Sequence, residues 1–316
     1  MKKFARLCLA LCSFSFLFGN VYAAEQQRDY PVTRLAPHTY MIQGPVGYPS
    51  VENQGFMNNP GFVITRTGVV VIDPGSSVQA GRMVLKQLRT ITQLPVTHVI
   101  NTHVHGDHWL GNQAIVEAYP KAVLIAHPEM IKLANNGAGA EWVALMERST
   151  NGFTKGTQAV VPSVAMNDGA TLKVGGMTFR FYAPRDAHSH TDIMIEVVED
   201  SVVFAGDNVL NQRIARMDDA TFAGNIAACE VAAAINAKVY VPGHGPAGDI
   251  KVVNNFHTYL STLFGAVKAL REQGKLDFEM KDTVIAKLTP YQNWPGFSDE
   301  VGRHISLAVL ELDNAF

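Results

Sequence analysis

The sequence has few cysteines and no run of basic residues. Only three cysteines occur among the 316 residues, and two of them, Cys8 and Cys12, lie in an N-terminal segment that we expect to be removed. The remaining Cys229 cannot form a disulfide within the mature chain, and we interpret it as a small core residue. The formal net charge is −2, and no basic segment indicates nucleic-acid binding. We therefore expect a small-molecule substrate and no nucleic-acid partner.

The N-terminus carries an apolar run that follows three basic residues and extends from Leu7 to Phe18. Small residues come next, and this order is typical of a secretory signal peptide, with cleavage expected after Ala23 or Ala24. The run is too short to predict a stable membrane anchor. We therefore predict that residues 1–23 are a signal peptide and that the protein is periplasmic or secreted.

The mature chain, residues 24–316, has a length that suits one large α/β domain. Residues 60–73 predict a β-hairpin, and residues 78–90 have the apolar spacing of a helix. A second group of candidate strands lies within residues 169–205. The tail, residues 249–316, has helical spacing instead and predicts a C-terminal helical extension. This extension either caps the domain or also shapes a substrate pocket or a dimer contact; the oligomeric state is left open.

Four potential metal ligands lie within six residues, in the pattern His-x-His-x-Asp-His. They are His103, His105, Asp107 and His108. Alternate side chains of an extended backbone point the same way, so His103 and His105 can reach one ion. The chain then turns at Gly106 and presents Asp107 and His108 on another side, where a second ion could bind. A histidine-rich loop without metal is the alternative interpretation.

This motif resembles the signature of the metallo-β-lactamase superfamily, and the later segments of that signature occur in order. A histidine precedes a candidate strand within residues 187–192, an aspartate ends Ala-Gly-Asp207, and a final histidine ends Pro-Gly-His244. The resemblance covers roughly residues 30–250. It implies a four-layer αββα sandwich with the metals at the edge between two sheets. The layout of the whole chain is similar to periplasmic metallohydrolases associated with quinoprotein and sulfur-oxidation systems.

The resemblance implies two metal sites. The first ion would bind His103, His105 and His188, the second would bind Asp107, His108 and His244, and Asp207 would bridge them. His190 is an alternative third ligand, and otherwise we expect it to line the pocket and bind substrate. Zinc suits imidazole and carboxylate ligands, so we expect two zinc ions; iron or manganese stays open because no thiolate narrows the choice.

The implied chemistry is hydrolysis by a hydroxide that bridges the metals and attacks a carbonyl carbon. Asp107 is expected to orient this hydroxide or to move its proton. The residues around Gly206 contain no G-x-S-x-G turn, so a serine nucleophile is not supported. Asp207 favours an ester, thioester or lactone substrate, because the lactamases that lack a cysteine ligand also lack this bridge. β-Lactam hydrolysis remains one alternative, and a non-catalytic metal-binding factor of a periplasmic redox pathway remains another.

Two further features have two interpretations each. Asp73 ends an apolar segment and either caps a turn or, as the resemblance implies, orients a metal ligand. Residues 48–59 are rich in glycine, asparagine, proline and aromatic residues. They form either an ordinary surface loop or a loop that covers the substrate, with Phe56 or Met57 touching it.

Overall fold

The computed structural model describes residues 26–214 and 216–314, so the predicted signal peptide lies outside the described residues. The strands are β1 Val32–Arg34, β2 Thr39–Ile42, β3 Gly61–Thr65, β4 Gly68–Ile72, β5 Val96–Ile100, β6 Val123–Ala126, β7 Val164–Ala165, β8 Thr171–Val174, β9 Met177–Tyr182, β10 Met194–Val197, β11 Val202–Leu210 and β12 Val239–His244. The helices are α1 Val78–Ile91, α2 Gly106–Trp109, α3 Asn112–Ala118, α4 Pro128–Leu133, α5 Gly139–Ser149, α6 Phe222–Ile235, α7 Lys251–Glu272, α8 Asp277–Lys287 and α9 Phe297–Asn314. None of these helices has both the length and the apolar character needed to cross a bilayer.

The strands form two sheets. The first sheet has seven strands in the order β1 to β7; its first four strands are antiparallel, and β4 to β7 run parallel. The second sheet has five strands in the order β12-β11-β10-β9-β8, and β11 and β12 form its parallel pair. The predicted hairpin is confirmed, because β3 and β4 pair antiparallel across the turn at residues 66–67.

Alternation along β4 shows how the first sheet separates two apolar layers. Val70 and Ile72 belong to the core between the sheets, whereas Val69 and Val71 pack in a second core with the apolar face of α1. This follows from the two-residue period of a strand that is buried on both faces. The sheets approach closely: a Cβ atom at Gly61 would lie 2.1 Å from the Phe204 ring of β11.

Helices cover both outer faces. Helices α1 and α3 pack on the first sheet, while α6 and α7 pack on the second sheet through a core that includes Val203 and Tyr240. The expected four-layer αββα sandwich is therefore confirmed. Cys229 of α6 is buried as predicted, and burial raises the pKa of its thiol to about 12.

The C-terminal tail is helical, with α7, α8 and α9 packed against one another and onto the core of the second sheet. The predicted helices around residues 256–272 and 301–312 are present as parts of α7 and α9. Helix α8 and the pair α4 and α5 were not predicted. A kinked, non-helical segment within residues 134–138 joins α4 to α5, and Gly137 there has a φ of 116°.

Candidate metal centre

The His-x-His-x-Asp-His motif lies where β5 ends and α2 begins. The strand ends at Ile100, and His105 keeps an extended backbone with φ −68° and ψ 130° just before the helix. Gly106 is required by packing, because a Cβ atom there would lie 2.6 Å from the Cβ of Trp142 in α5. The motif therefore lies on a strand-to-helix loop, which two short helices, α2 and α3, follow.

The other three ligand candidates come from the second sheet. His188 lies in the loop before β10, and His244 ends β12. The sequence placed Asp207 after a strand, but β11 continues through it to Leu210. The pairing of β11 with β12 shifts register on both sides of Gly206, whose φ is 53°. The cluster therefore spans both sheets at their shared edge.

The structure brings all seven predicted metal ligands together. Three groups of side chains have ligand atoms within 4.8 Å of one another: His103 with His105 and His188, His103 with His108 and Asp207, and Asp107 with His108 and His244. The first and third groups are the two sets implied by the resemblance, and the second group joins them.

Several polar atoms of this cluster are buried without a hydrogen-bond partner among the described residues: His103 Nε2, His108 Nε2 and Asp207 Oδ1. The His108 and Asp207 atoms lie only 3.1 Å apart, yet they do not meet in hydrogen-bond geometry. Buried polar atoms that lack partners are costly, and inward-facing imidazole and carboxylate atoms suit a cation. The donor set therefore fits divalent metal ions.

In three of these histidines the Nδ1 atom has a hydrogen-bond partner, which leaves the Nε2 atom free to bind a metal ion. His108 Nδ1 lies 2.8 Å from Asp73 Oδ2, and His244 Nδ1 lies 2.9 Å from the Met57 carbonyl oxygen. His103 Nδ1 lies 3.0 Å from Thr102 Oγ1. Such partners fix the tautomer and the ring orientation of metal-binding histidines. The interpretation that Asp73 orients a ligand histidine agrees with this geometry.

His105 is held differently, and sequence reasoning missed its partner. Its Nε2 lies 3.0 Å from Asp219 Oδ2, and its Nδ1 lies 3.0 Å from His188 Nε2. Asp219 is 114 residues away along the chain, in the loop between β11 and α6, and no motif marks it. The hydrogen bond from His105 lowers the pKa of the Asp219 carboxyl.

Burial and mutual charge determine the protonation of the cluster. Desolvation lowers the pKa of His188 to about 3, so this imidazole is neutral and able to bind a cation at pH 7. Burial by itself raises the pKa of Asp207, but the charges of the nearby His244 and His108 outweigh it and hold that pKa well below the usual range. The cluster thus combines a neutral ligand with an ionised carboxylate.

His190 lies outside the cluster. Its side chain is 66% exposed, and its Nδ1 lies 2.5 Å from Asp186 Oδ1. It is also absent from the lining of the cavity beside the cluster. The structure thus brings His188, and not His190, among the ligand candidates, and it gives no support for the predicted contact of His190 with substrate.

A cavity of about 610 Å³ opens onto the cluster. Loop 48–59 contributes Tyr48 and Met57 to its wall, whereas Phe56 points into the core and is fully buried. Of the two expected substrate contacts on this loop, only Met57 therefore faces the cavity. Helix α5 and the loop before α6 supply much of the remaining wall, through Trp142, Leu145, Arg148, Arg213, Arg216 and Asp219.

The sequence model of the metallo-beta-lactamase superfamily matches residues 54–244, which is more than half of the chain. The chain belongs to this superfamily. Solved structures with this fold agree. A metallo-beta-lactamase from Pontibacter korlensis superposes with a TM-score of 0.60 at 20% identity, covering 74% of this chain and 99% of that one. A sec-alkylsulfatase from Pseudomonas superposes with a TM-score of 0.64 at 15% identity, covering 80% of this chain and 45% of that one.

Curated relatives within the superfamily are named as hydrolases, as expected for this chain. An atrochrysone carboxyl ACP thioesterase of Emericella nidulans is 24% identical over 67% of this chain and 57% of its own length. A hydroxyacylglutathione hydrolase of Francisella tularensis is 23% identical over 50% of each protein. The chain thus spans about half the length of these relatives.

Proposed function

We propose that this superfamily member is a periplasmic or secreted hydrolase that holds two zinc ions and cleaves an ester or thioester bond of a small molecule. The position of Asp207 carries this proposal. Its Oδ2 lies 3.5 Å from His188 Nε2 and 3.3 Å from His244 Nε2, so one carboxylate oxygen contacts both ligand groups. Such a carboxylate is suited to bridge two cations and fix their separation.

Two zinc ions at these ligands would supply a bound hydroxide at neutral pH and polarise the substrate carbonyl. The side chains of the chain itself perform the remaining tasks. Asp107 Oδ2 lies 3.1 Å from His244 Nε2 and 3.4 Å from His108 Nε2. Burial raises the pKa of Asp107, but the charge of His108 outweighs burial and keeps the carboxylate ionised. Its ionised carboxylate can therefore accept a hydrogen bond from the attacking water and orient it.

Apolar side chains form part of the cavity wall beside this cluster. The Trp142 ring packs 5.0 Å from the ring of His105, and Met57, whose carbonyl oxygen lies 2.9 Å from His244 Nδ1, also lines the cavity. An apolar wall beside a metal cluster strengthens electrostatic interactions with the substrate carbonyl. The volume of about 610 Å³ is in the range of small-molecule sites.

Among the candidate bonds, a thioester agrees with the name of a curated relative, an ACP thioesterase. The metallo-beta-lactamases among the solved structures share less than 25% identity with this chain and indicate the fold alone. The predicted signal peptide supports the proposed compartment. Fractionation of cells that express the full chain, followed by N-terminal sequencing of the product, tests this part of the proposal.

Metal analysis combined with a substrate panel tests the chemistry. We expect close to two zinc ions per chain and faster cleavage of thioesters and oxyesters than of a chromogenic cephalosporin. His103→Ala should remove metal and activity together, whereas His257→Ala, on a helix distant from the cluster, is the matched control. Bound metal without hydrolysis of any substrate would favour the accessory-factor alternative. Preferential cleavage of the cephalosporin would favour a β-lactamase.

A further inference from the structure

Arg213 is a buried cation on the wall of the cavity. It lies in the loop between β11 and α6, and its relative exposure is 4%. Its Nε and Nη1 atoms are enclosed and have no hydrogen-bond partner among the described residues. A guanidinium is always charged, and removing it from water without a hydrogen-bonded anion is costly. Its position in the cavity wall therefore points to a missing acceptor.

Tyr48 packs against the guanidinium without neutralising it. The Arg213 Cζ lies 5.3 Å from the centroid of the Tyr48 ring, a cation–π contact. The Tyr48 hydroxyl donates a 2.9 Å hydrogen bond to Glu300 Oε1, while Glu300 Oε2 has no hydrogen-bond partner in the part of the chain that the structure describes. Arg213 and Glu300 thus approach the same tyrosine without forming an ion pair with each other.

The backbone that carries Arg213 is held by the C-terminal extension. The Ile214 amide donates a 2.9 Å hydrogen bond to the Pro295 carbonyl. A Cβ atom at Gly296, whose φ is 87°, would lie 2.2 Å from the Ile214 carbonyl oxygen, so only glycine fits here. This contact fixes the position of the arginine, and a fixed binding group loses less entropy when a ligand arrives.

The other two arginines of the cavity lack this combination. Arg216 is more than half exposed, and its Nε donates a 2.7 Å hydrogen bond to Asp218, so both water and a carboxylate partner are available to it. Arg148 is exposed on α5, where water solvates its charge. Arg213 thus combines burial, a place in the cavity wall and missing hydrogen-bond partners.

We propose that Arg213 binds a carboxylate on the substrate, so that the protein prefers esters or thioesters whose acyl or leaving group carries a negative charge. This inference rests on the proposed hydrolytic function. A carboxylate matches the planar donor fork of arginine. Met57 and Trp142 line the cavity beside it and would contact the apolar part of such a substrate.

A pair of esters that differ in one charge tests the inference. We compare 4-nitrophenyl butyrate with the mono-4-nitrophenyl ester of glutaric acid, in wild-type protein, Arg213→Met and Arg213→Lys. Loss of one charge-assisted contact should raise KM for the charged ester by about tenfold to hundredfold in Arg213→Met, with KM for butyrate changed less than twofold. The KM of Arg213→Lys for the charged ester should lie between the values of wild-type protein and Arg213→Met. Arg82→Met, which removes an exposed arginine on α1, is the matched control.

Glutarate binding, measured by calorimetry on metal-loaded and metal-free protein, gives a readout that needs no turnover. We expect binding to wild-type protein in both forms and its loss in Arg213→Met. Equal changes in KM for the two esters, or glutarate binding that survives the substitution, would overturn the inference. If wild-type protein cleaves neither ester, the proposed function fails, and glutarate titration still decides the role of Arg213.

Discussion

The carboxylate of Asp73 joins His108, a candidate metal ligand, to the loop that precedes it. One oxygen accepts the Thr102 amide at 2.8 Å, and the other lies 2.7 Å from the Thr102 hydroxyl and 2.8 Å from His108 Nδ1. Asp73 is buried and has a φ of 51°, a conformation that asparagine and aspartate tolerate better than most residues. A residue outside the ligand set thereby fixes the orientation of a ligand.

Replacement of Asp73 should therefore weaken metal binding without removing a ligand. Asp73→Asn keeps the size and the backbone preference, but its amide cannot accept all three hydrogen bonds. We expect the affinity for zinc at the second site, formed by Asp107, His108 and His244, to fall by about tenfold to hundredfold. Replacing a residue that orients a ligand histidine typically has an effect of this size. Competition with a chromophoric chelator measures this change. Asp29→Asn, at an exposed ion pair with Lys86, is the control, and equal affinities in the two variants would contradict the assigned role.

Asp207→Asn tests the bridge itself. The substitution keeps the shape of the side chain and removes the charge that two close cations require. We expect one tight and one weakened zinc site, with the weakened one at Asp107, His108 and His244, and a large drop in turnover. The three neutral imidazoles of the other site should retain their ion better. Chelator titration that still shows two tight sites, together with full activity, would mean that Asp207 does not bridge.

His188 and His190 provide a matched pair of variants two residues apart. His188→Ala removes a buried cluster residue, so it should lower zinc content towards one ion per chain and abolish hydrolysis. His190→Ala removes an exposed side chain that pairs with Asp186, so zinc content should stay near two. Metal analysis of both purified variants shows which of the two histidines is the ligand. Loss of zinc from the His190 variant alone would reverse the assignment.

Cys229 should be unreactive in the folded protein. With the pKa of its thiol raised to about 12, roughly one thiol in 10,000 is a thiolate at pH 8, and only the thiolate reacts with alkylating reagents. We expect no modification of the Cys229 peptide by iodoacetamide under native conditions and complete modification in denaturant, as measured by mass spectrometry. Rapid native labelling would show that α6 opens readily.

Four of the seven candidate ligands lie within one local motif, whereas His188, Asp207 and His244 could be assigned only through the resemblance to the superfamily signature. His103 and His105 are two residues apart on extended backbone, so alternation alone places them together. The partners that orient the cluster could not be predicted in this way. Asp219 reaches His105 across 114 residues, and the loop that carries Arg213 is held by the C-terminal extension through the hydrogen bond from Ile214 to Pro295. Contacts of this kind depend on tertiary structure and leave no local pattern.

Prediction of the secondary structure from the sequence has a similar limit. Strands buried on both faces, such as β4, are marked by continuous apolar residues, and the hairpin was predicted correctly. Helix α8 has only Met280 and Val284 buried, too few for a clear helical period. The extension of β11 through Asp207 depends on register shifts against β12, which follow from pairing and not from composition.

The ligand cluster has one consequence for the conformational stability of the whole domain. Because His103 and His108 follow the first sheet whereas Asp207 and His244 belong to the second, bound ions would add a cross-link between two layers that also meet through an apolar core and a few hydrogen bonds, such as the one from Asn59 Nδ2 to the Pro242 carbonyl. Free zinc at 100 times its dissociation constant would add about 2.7 kcal/mol per site. Domains of ordinary stability have about 5–15 kcal/mol in total. Zinc supply in the surrounding compartment would then set how long a molecule survives proteases, independently of how much substrate it meets.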